Sequence, residues 1–261
     1  MGRLDDKVCV VTGASSGIGA RTAELFAAEG AKVAMLARRG KEMEAIAKKI
    51  RAKGGEAIVL PTDIREVEQV EAAIAKTIET YGRIDGLANV AGYLDVAMRP
   101  IDDFLGEDLD KTLNTNVRGT MQVTRACVKH FVENGHGTIA TVASMAGYNG
   151  NGSAAYVASK GALVSLTKHI AMEFACPGPV IRANAICPGS VWTPMAQRAK
   201  KAWKTYGEAA KRFNESIQKH TCMEVKICRP DDIANLLLFL ISDESACLTG
   251  QILVADFGCN L

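Results

Sequence analysis

Histidine is scarce, with 4 in 261 residues, and none stands at a ligand spacing, so no catalytic transition metal is expected. No apolar run approaches the roughly 18 residues of a membrane span. The net charge is only +2, with no long basic run, which argues against a nucleic-acid partner. The 8 cysteines stand at 9, 127, 176, 187, 222, 228, 247 and 259 and form no C-x-x-C. Several sit in apolar runs, a pattern that suits buried, reduced thiols better than a disulfide framework or a zinc site. There is no Pro/Ser-rich linker and no internal repeat, so 1–261 reads as one domain. The opening MGRLDDKVCVVTG has acidic residues where a signal peptide needs a basic start. Asp6 does not supply the Ser or Thr of a myristoylation signal after Gly2. The expectation is a cytoplasmic protein.

Strand-like and helix-like runs alternate instead. Lys7 to Val11, Lys32 to Ala37, Ala57 to Leu60, Gly86 to Ala88, Gly137 to Val142, Ile181 to Ile186 and Gln251 to Ala255 read as strands. Amphipathic segments near 18–29, 41–53, 66–81, 104–133, 155–175 and 230–241 read as helices. This alternation predicts an α/β fold: a parallel sheet with helices on both faces. A stretch at about 193–228, rich in Lys and Ala and carrying Trp203, Tyr206 and Phe213, breaks the pattern and reads as a helical insertion.

The first strand runs into Thr12-Gly13-Ala14-Ser15-Ser16-Gly17-Ile18-Gly19, which opens a helix. Glycines there let the backbone approach a pyrophosphate, and the helix N-terminus offers N–H groups. The second strand ends at Ala37-Arg38-Arg39, where an acid would bind a ribose hydroxyl. Two guanidinium groups suit a 2′-phosphate instead, so NADP(H) is expected over NAD(H). A one-residue shift of the strand would change which arginine serves. Asp63 could accept from an adenine amino group, although a capping role for Thr62 or Asp63 is equally open. Asn89-Val90-Ala91-Gly92 follows the fourth strand with small residues. Asn116, inside a helix-like run, hints at a specific hydrogen bond or a local kink. Pro188-Gly189 ends the sixth strand. Thr193 could contact a cofactor or cap the next helix, with Pro194 at its first position.

The last stretch, Ser144 to Lys160, carries a serine, a tyrosine and a lysine. Tyr156 and Lys160 are four apart and share a helix face. An ammonium beside a phenol lowers its pKa toward neutral acid–base work. Ser144 could hydrogen-bond the same substrate oxygen. A surface helix that happens to carry Tyr and Lys is the bland alternative.

Taken in order, these motifs resemble the classical short-chain dehydrogenase/reductase family over nearly the whole chain. Thr12 to Gly19 resembles T-G-x-x-x-G-x-G, Asn89 to Gly92 resembles N-N-A-G, and Tyr156 with Lys160 matches Y-x-x-x-K. Ser144, Asn116 and Pro188-Gly189 fall in the family's order. The resemblance implies a Rossmann-like, doubly wound sheet of seven parallel strands with the cofactor across their C-terminal ends. It implies Tyr156 as general acid or base, Lys160 as its tuner and ribose ligand, Ser144 as the group orienting the substrate oxygen, and Asn116 as holder of a relay water. It implies cofactor contacts from Gly13, Ser15, Ser16, Gly17, Ile18, Gly19, Arg38, Arg39, Asp63, Ile64, Asn89, Ala91, Gly92, Pro188, Gly189, Val191 and Thr193. It also implies a homotetramer or homodimer. Two departures stand out. Val90 replaces the second Asn, and the Ser144–Tyr156 spacing is one residue short, which the Gly-rich loop 147–152 could absorb.

Tyr93, Leu94, Met98, Met145, Tyr148, Asn149, Trp192, Met195 and the insertion are candidate pocket residues. Their apolar, methionine-rich character suits a hydrophobic alcohol or ketone such as a hydroxysteroid. A second reading is a 3-oxoacyl-(acyl-carrier-protein) reductase, which needs a basic patch near the site; Arg118, Arg125 and Lys129 are candidates. A third is a non-catalytic NADP(H)-binding sensor, which has no need of a tuned phenol.

Overall fold

The structure is a computed structural model that describes residues 2–95, 99, 101–175, 177–203, 208–222 and 224–260; the side chains of 202, 203, 208–210 and 212–214 lie outside that description. Met98, Cys176 and Tyr206, and the side chains of Trp203 and Phe213, therefore fall outside it.

Strand β1 (Val8–Thr12) is buried along its whole length, as an apolar run at the centre of a parallel sheet must be. It is followed by α1 (Gly17–Ala28), β2 (Lys32–Ala37), α2 (Gly40–Ala52), β3 (Glu56–Pro61), α3 (Val67–Tyr81) and β4 (Gly86–Asn89). The predicted 104–133 helix is three pieces: α4 (Gly106–Leu113), a π-helical turn (Asn114–Gly119) and α5 (Thr120–Asn134). Then come β5 (His136–Val142), α6 (Met145–Asn149), α7 (Ala154–Glu173) and β6 (Val180–Pro188). The insertion supplies α8 (Pro194–Trp203) and α9 (Glu208–His220), before α10 (Pro230–Ile241) and β7 (Ile252–Ala255). Strand ends differ from the sequence reading by a residue or two; Pro188 belongs to β6, paired with Ala255.

All seven strands pair in parallel in the order β3-β2-β1-β4-β5-β6-β7. The order reverses between β1 and β4, the switch point where this architecture opens a crevice at the strand C-termini. Side-chain alternation divides the core into two layers. Cys9, Val11, Val33 and Met35 join Phe26, Met43 and Leu237 on one face. Val10, Ala34 and Leu36 join Val70, Val123 and Phe131 on the other. Four described thiols are buried (Cys9, Cys127, Cys187, Cys228), but Cys222 and Cys247 are exposed and Cys259 is half-buried, so the expectation of buried thiols holds only in part. Among the described residues, no helix is long and apolar enough to cross a membrane.

Behind the sheet, the Arg182 guanidinium of β6 is buried. It donates to the carbonyls of Leu240 (3.2 Å), Ser242 (3.1 Å), Ser245 (2.8 Å) and Leu248 (3.0 Å). A cation at the C-terminal end of α10 meets the negative end of that helix's dipole. Replacing Arg182 by Ala strands those carbonyls, so a loss of about 3 kcal/mol is expected. Thermal unfolding should show it as a fall in Tm of about 8 °C; a fall below about 2 °C would mean that the carbonyls find other partners.

Candidate active site

A cleft of about 1310 Å³ opens along the C-terminal edge of β1, β4, β5 and β6. The turn after β1 forms its floor. Gly13 takes a left-handed conformation (φ +69°), and a Cβ there would lie 2.9 Å from the Ala91 backbone. A Cβ on Gly19 would lie 2.4 Å from the Gly13 carbonyl oxygen, so α1 seats directly on the turn. Ser16 precedes α1 in extended conformation and its side chain does not cap the helix, which leaves the first N–H groups available to an anion.

Thr12, in the sequence only the start of the glycine-rich turn, has a role of its own. Its hydroxyl oxygen accepts from Val90 N (2.9 Å) and Ala91 N (3.0 Å), locking the loop after β4 to the end of β1. Its strand position and its hydroxyl were the available signals, obscured by the glycines that follow.

β2 ends at Ala37, as expected, so both arginines stand at the cleft. Arg39 Nη2 donates to Ser15 Oγ (2.9 Å) and Ser16 Oγ (2.7 Å), tying the basic corner to the glycine-rich turn. Asp63 is held by Arg65, which donates from Nη2 at 2.6 Å and from Nε at 3.0 Å. The hydrogen-bonded Arg65 keeps the Asp63 carboxyl below its ordinary range. Arg65 therefore competes for the acceptor that an adenine amino group would use. Thr193 caps α8, accepting from Ala196 N at 3.2 Å. Its methyl carbon also lies 3.3 Å from where a Gly17 Cβ would stand, so the cap doubles as a wall beside the glycine turn.

Ser15, Ser16, Gly17, Ile18, Gly19, Ile64, Ala91, Gly92, Pro188, Gly189 and Val191 line the same cleft; two expected site residues do not. Asn89 is buried behind the wall, its Nδ2 donating to Thr124 Oγ1 (3.0 Å), while its Oδ1 has no hydrogen-bond partner among the described residues. Asn116 is fully buried on the π-helical turn. Its Nδ2 donates to the Tyr93 carbonyl (2.8 Å) and Ser159 Oγ (2.9 Å), and its Oδ1 accepts from Tyr93 N (2.6 Å). Of the two outcomes expected at this residue, a specific hydrogen bond or a local kink, the specific hydrogen bonds are present.

Tyr156 and Lys160 share a face of α7, with Lys160 Nζ 5.7 Å from the phenol ring centroid. Lys160 is buried, donates to the Val142 carbonyl (2.8 Å), and burial pulls its ammonium down to about 8. The expected lowering of the phenol by the lysine is not what this geometry produces. Burial pushes Tyr156 up to about 12; a hydrogen bond with Ser144 pulls it back, and the Asp95 carboxylate adds to the rise. Ser144 follows β5 and caps α6, its Oγ accepting from Ala146 N at 3.1 Å. Between Ser144 and Tyr156 the chain forms α6 and turns at Gly150, which lies in the left-handed region (φ +82°). Gly147 lets α6 lie on α7: a Cβ there would stand 2.3 Å from the Lys160 carbonyl carbon.

Residues 13–260 match a family profile described as "Enoyl-(Acyl carrier protein) reductase". The 3-oxoacyl-(acyl-carrier-protein) reductase FabG of Thermotoga maritima is 34% identical over 258 residues, covering 98% of each chain. The chain belongs to the classical short-chain dehydrogenase/reductase family. A 3beta-hydroxysteroid dehydrogenase of Mediterraneibacter gnavus is 33% identical, covering 99% of this chain and 96% of its own. The structure of a short-chain dehydrogenase from Burkholderia cenocepacia in complex with NADP superposes with a TM-score of 0.83 at 31% identity, covering 99% of this chain and 100% of its own.

Short-chain dehydrogenases bind a nicotinamide cofactor, and this cleft fits one. The uncapped α1 start, the hydroxyls of Ser15 and Ser16 and the Arg39 fork form an anion-binding donor set. Of the expected substrate residues, Tyr93, Leu94, Met145 and Met195 line the cleft, whereas Tyr148, Asn149 and Trp192 do not. Tyr148 and Trp192 are exposed, and Asn149 donates to Asn260. Arg118, Arg125 and Lys129 also lie outside the lining, and Arg125 pairs with Glu71. Arg198 and Lys200 of the insertion line it, as does Lys111, which was not singled out from the sequence.

Thr12→Val keeps the shape but leaves two N–H groups without their acceptor. Cofactor affinity, read by NADPH fluorescence, is expected to fall about tenfold or more, with Thr12→Ser near wild type. Equal affinity in the valine variant would show that the Thr12 clamp is dispensable.

Proposed function

We propose that the protein is an NADP(H)-dependent oxidoreductase interconverting a secondary alcohol and a ketone, with a hydrophobic substrate of the hydroxysteroid type. The observation that carries this reading is Tyr156, Ser144 and Lys160 lining one cleft with the Arg39–Ser15–Ser16 corner. Bound in the cleft, the cofactor supplies or accepts the hydride.

In reduction, Tyr156 donates the proton that the carbonyl oxygen takes up. Burial already holds its hydroxyl protonated. Ser144 donates a hydrogen bond to the same oxygen and stabilises the charge that develops there. Lys160 spends one N–H on Val142 and keeps two donors for the nicotinamide ribose and the returning proton. Both N–H protons of the Asn116 side chain are already spent. A relay water would therefore rest on the main-chain carbonyl of its π-helical turn. Arg39 and Arg38 would pair with a 2′-phosphate. Tyr93, Leu94, Met145 and Met195 supply the apolar lining that suits a steroid-sized ketone. Lys111, Arg198 and Lys200 favour a second reading, a 3-oxoacyl thioester reductase, because cations at the cleft suit an anionic carrier.

The test is NADPH and NADH oxidation against oxo-steroids, cyclic ketones and an acetoacetyl thioester. NADPH turnover on a ketone class is expected, falling about a thousandfold in Tyr156→Phe. Turnover of the thioester alone selects the second reading; binding without turnover of any substrate selects a sensor. Arg39→Leu should raise the KM for NADPH about tenfold and leave that for NADH within about twofold; a wild-type preference for NADH would refute the role given to the arginines. Because the phenol is held protonated, reduction should hold its rate from about pH 6 to about pH 8 while alcohol oxidation, which needs the phenolate, climbs. An oxidation rate flat over that range would contradict the assignment of Tyr156.

A further inference from the structure

Asp95 lies outside the cleft lining and is 2% exposed, unusual for a carboxylate. It follows Tyr93 and Leu94, which the same loop carries into the cleft. Its Oδ1 accepts a hydrogen bond from the Ser153 hydroxyl. Ser153, itself 1% exposed, is the N-cap of α7, and its Oγ accepts from Tyr156 N at 3.3 Å. A hydroxyl has one proton; giving it to Asp95 turns a lone pair toward the Tyr156 amide. A second strut comes from Arg99: Ala154 N donates to its carbonyl at 3.5 Å. Both struts end on the first turn of α7, which bears the phenol.

We propose that Asp95 is a positioning residue for Tyr156, fixing the first turn of α7 through Ser153 so that the phenol is held at the cleft. This rests on the oxidoreductase reading for its consequence in catalysis, though not for its geometry. The carboxylate stands at the N-terminal end of a 20-residue helix, where the dipole favours negative charge. That charge also opposes the phenolate, acting with burial to keep the proton on Tyr156. Among the described residues, these charged and titratable groups stand around the pair. Lys160 lies beside the ring, with Cys187 beside Lys160. Asp108 of α4 faces Asp95, and Arg99 reaches toward Asp103 and Asp108.

The test compares three variants. Asp95→Asn keeps an acceptor for Ser153 and removes the charge. It is expected to retain kcat within about threefold and to move the rising limb of alcohol oxidation toward acid by about half a pH unit or more. Asp95→Ala removes strut and charge; kcat should fall about tenfold or more with the KM for NADPH within about twofold. Its Tyr156 amide should exchange with solvent at least about tenfold faster. Ser153→Ala should reproduce the faster exchange without moving the limb. Unchanged exchange in both Asp95→Ala and Ser153→Ala would overturn the proposal, as would an unmoved limb in Asp95→Asn. If Asp95→Ala does not fold, the limb in Asp95→Asn decides the point. If the wild type reduces no ketone, the oxidoreductase reading fails, while amide exchange still decides whether Asp95 positions Tyr156.

Discussion

The hydroxyl of Thr12 is the point on which the cleft depends. β1 and β4 are neighbours in the sheet, yet the chain leaves them toward opposite edges, and a crevice opens between the departing loops. Two N–H groups of the β4 loop converge on the single oxygen of Thr12, and Gly13 lets the two backbones touch. With that junction fixed, Ala91 and Gly92 stand over the turn, and α1 presents its start to the same space. Asn116 then carries the tie onward, from Tyr93 in that loop to Ser159 in α7. Junction, loop and phenol-bearing helix form one hydrogen-bonded series.

Two buried cations show how the same fold uses charge for different ends. Arg182 is surrounded by carbonyls and serves to hold the end of α10 and the loop leading to β7. Lys160 has one carbonyl partner and faces the cleft. Burial without full compensation costs stability but leaves donors to be used and a proton that can be exchanged. The phenol beside it is likewise held away from its ordinary range, by burial in the opposite sense. Groups whose surroundings push them in contrary directions are suited to passing a proton between them.

Much of this was legible in the sequence. Buried parallel strands write themselves as continuous apolar runs, so β1 and β2 were visible, and β2 ended where it placed Arg38 and Arg39. Tyr156 and Lys160 were legible because helical geometry alone puts residues four apart on one face. The π-helical turn was not, because its departure from an α-helix lies in the backbone, and Asn116 offered only a hint. The direction of the phenol's shift was missed because proximity of Lys160 was weighed without burial. Asp95 was invisible because its partner is 58 residues away. Tyr148 and Trp192 were misplaced because apolar character marks cleft walls and exposed surface alike.

The chemistry proposed for this cleft is hydride transfer with Tyr156 as the proton partner. Its most direct test is reduction of a cyclic ketone with NADPH deuterated on one face of the nicotinamide C4, followed by mass analysis of the alcohol. Deuterium is expected at the carbinol carbon from one of the two faces and not the other, with product formation lost in Tyr156→Phe. NADPH bound or consumed without a labelled alcohol, or label transfer that survives in Tyr156→Phe, would contradict it.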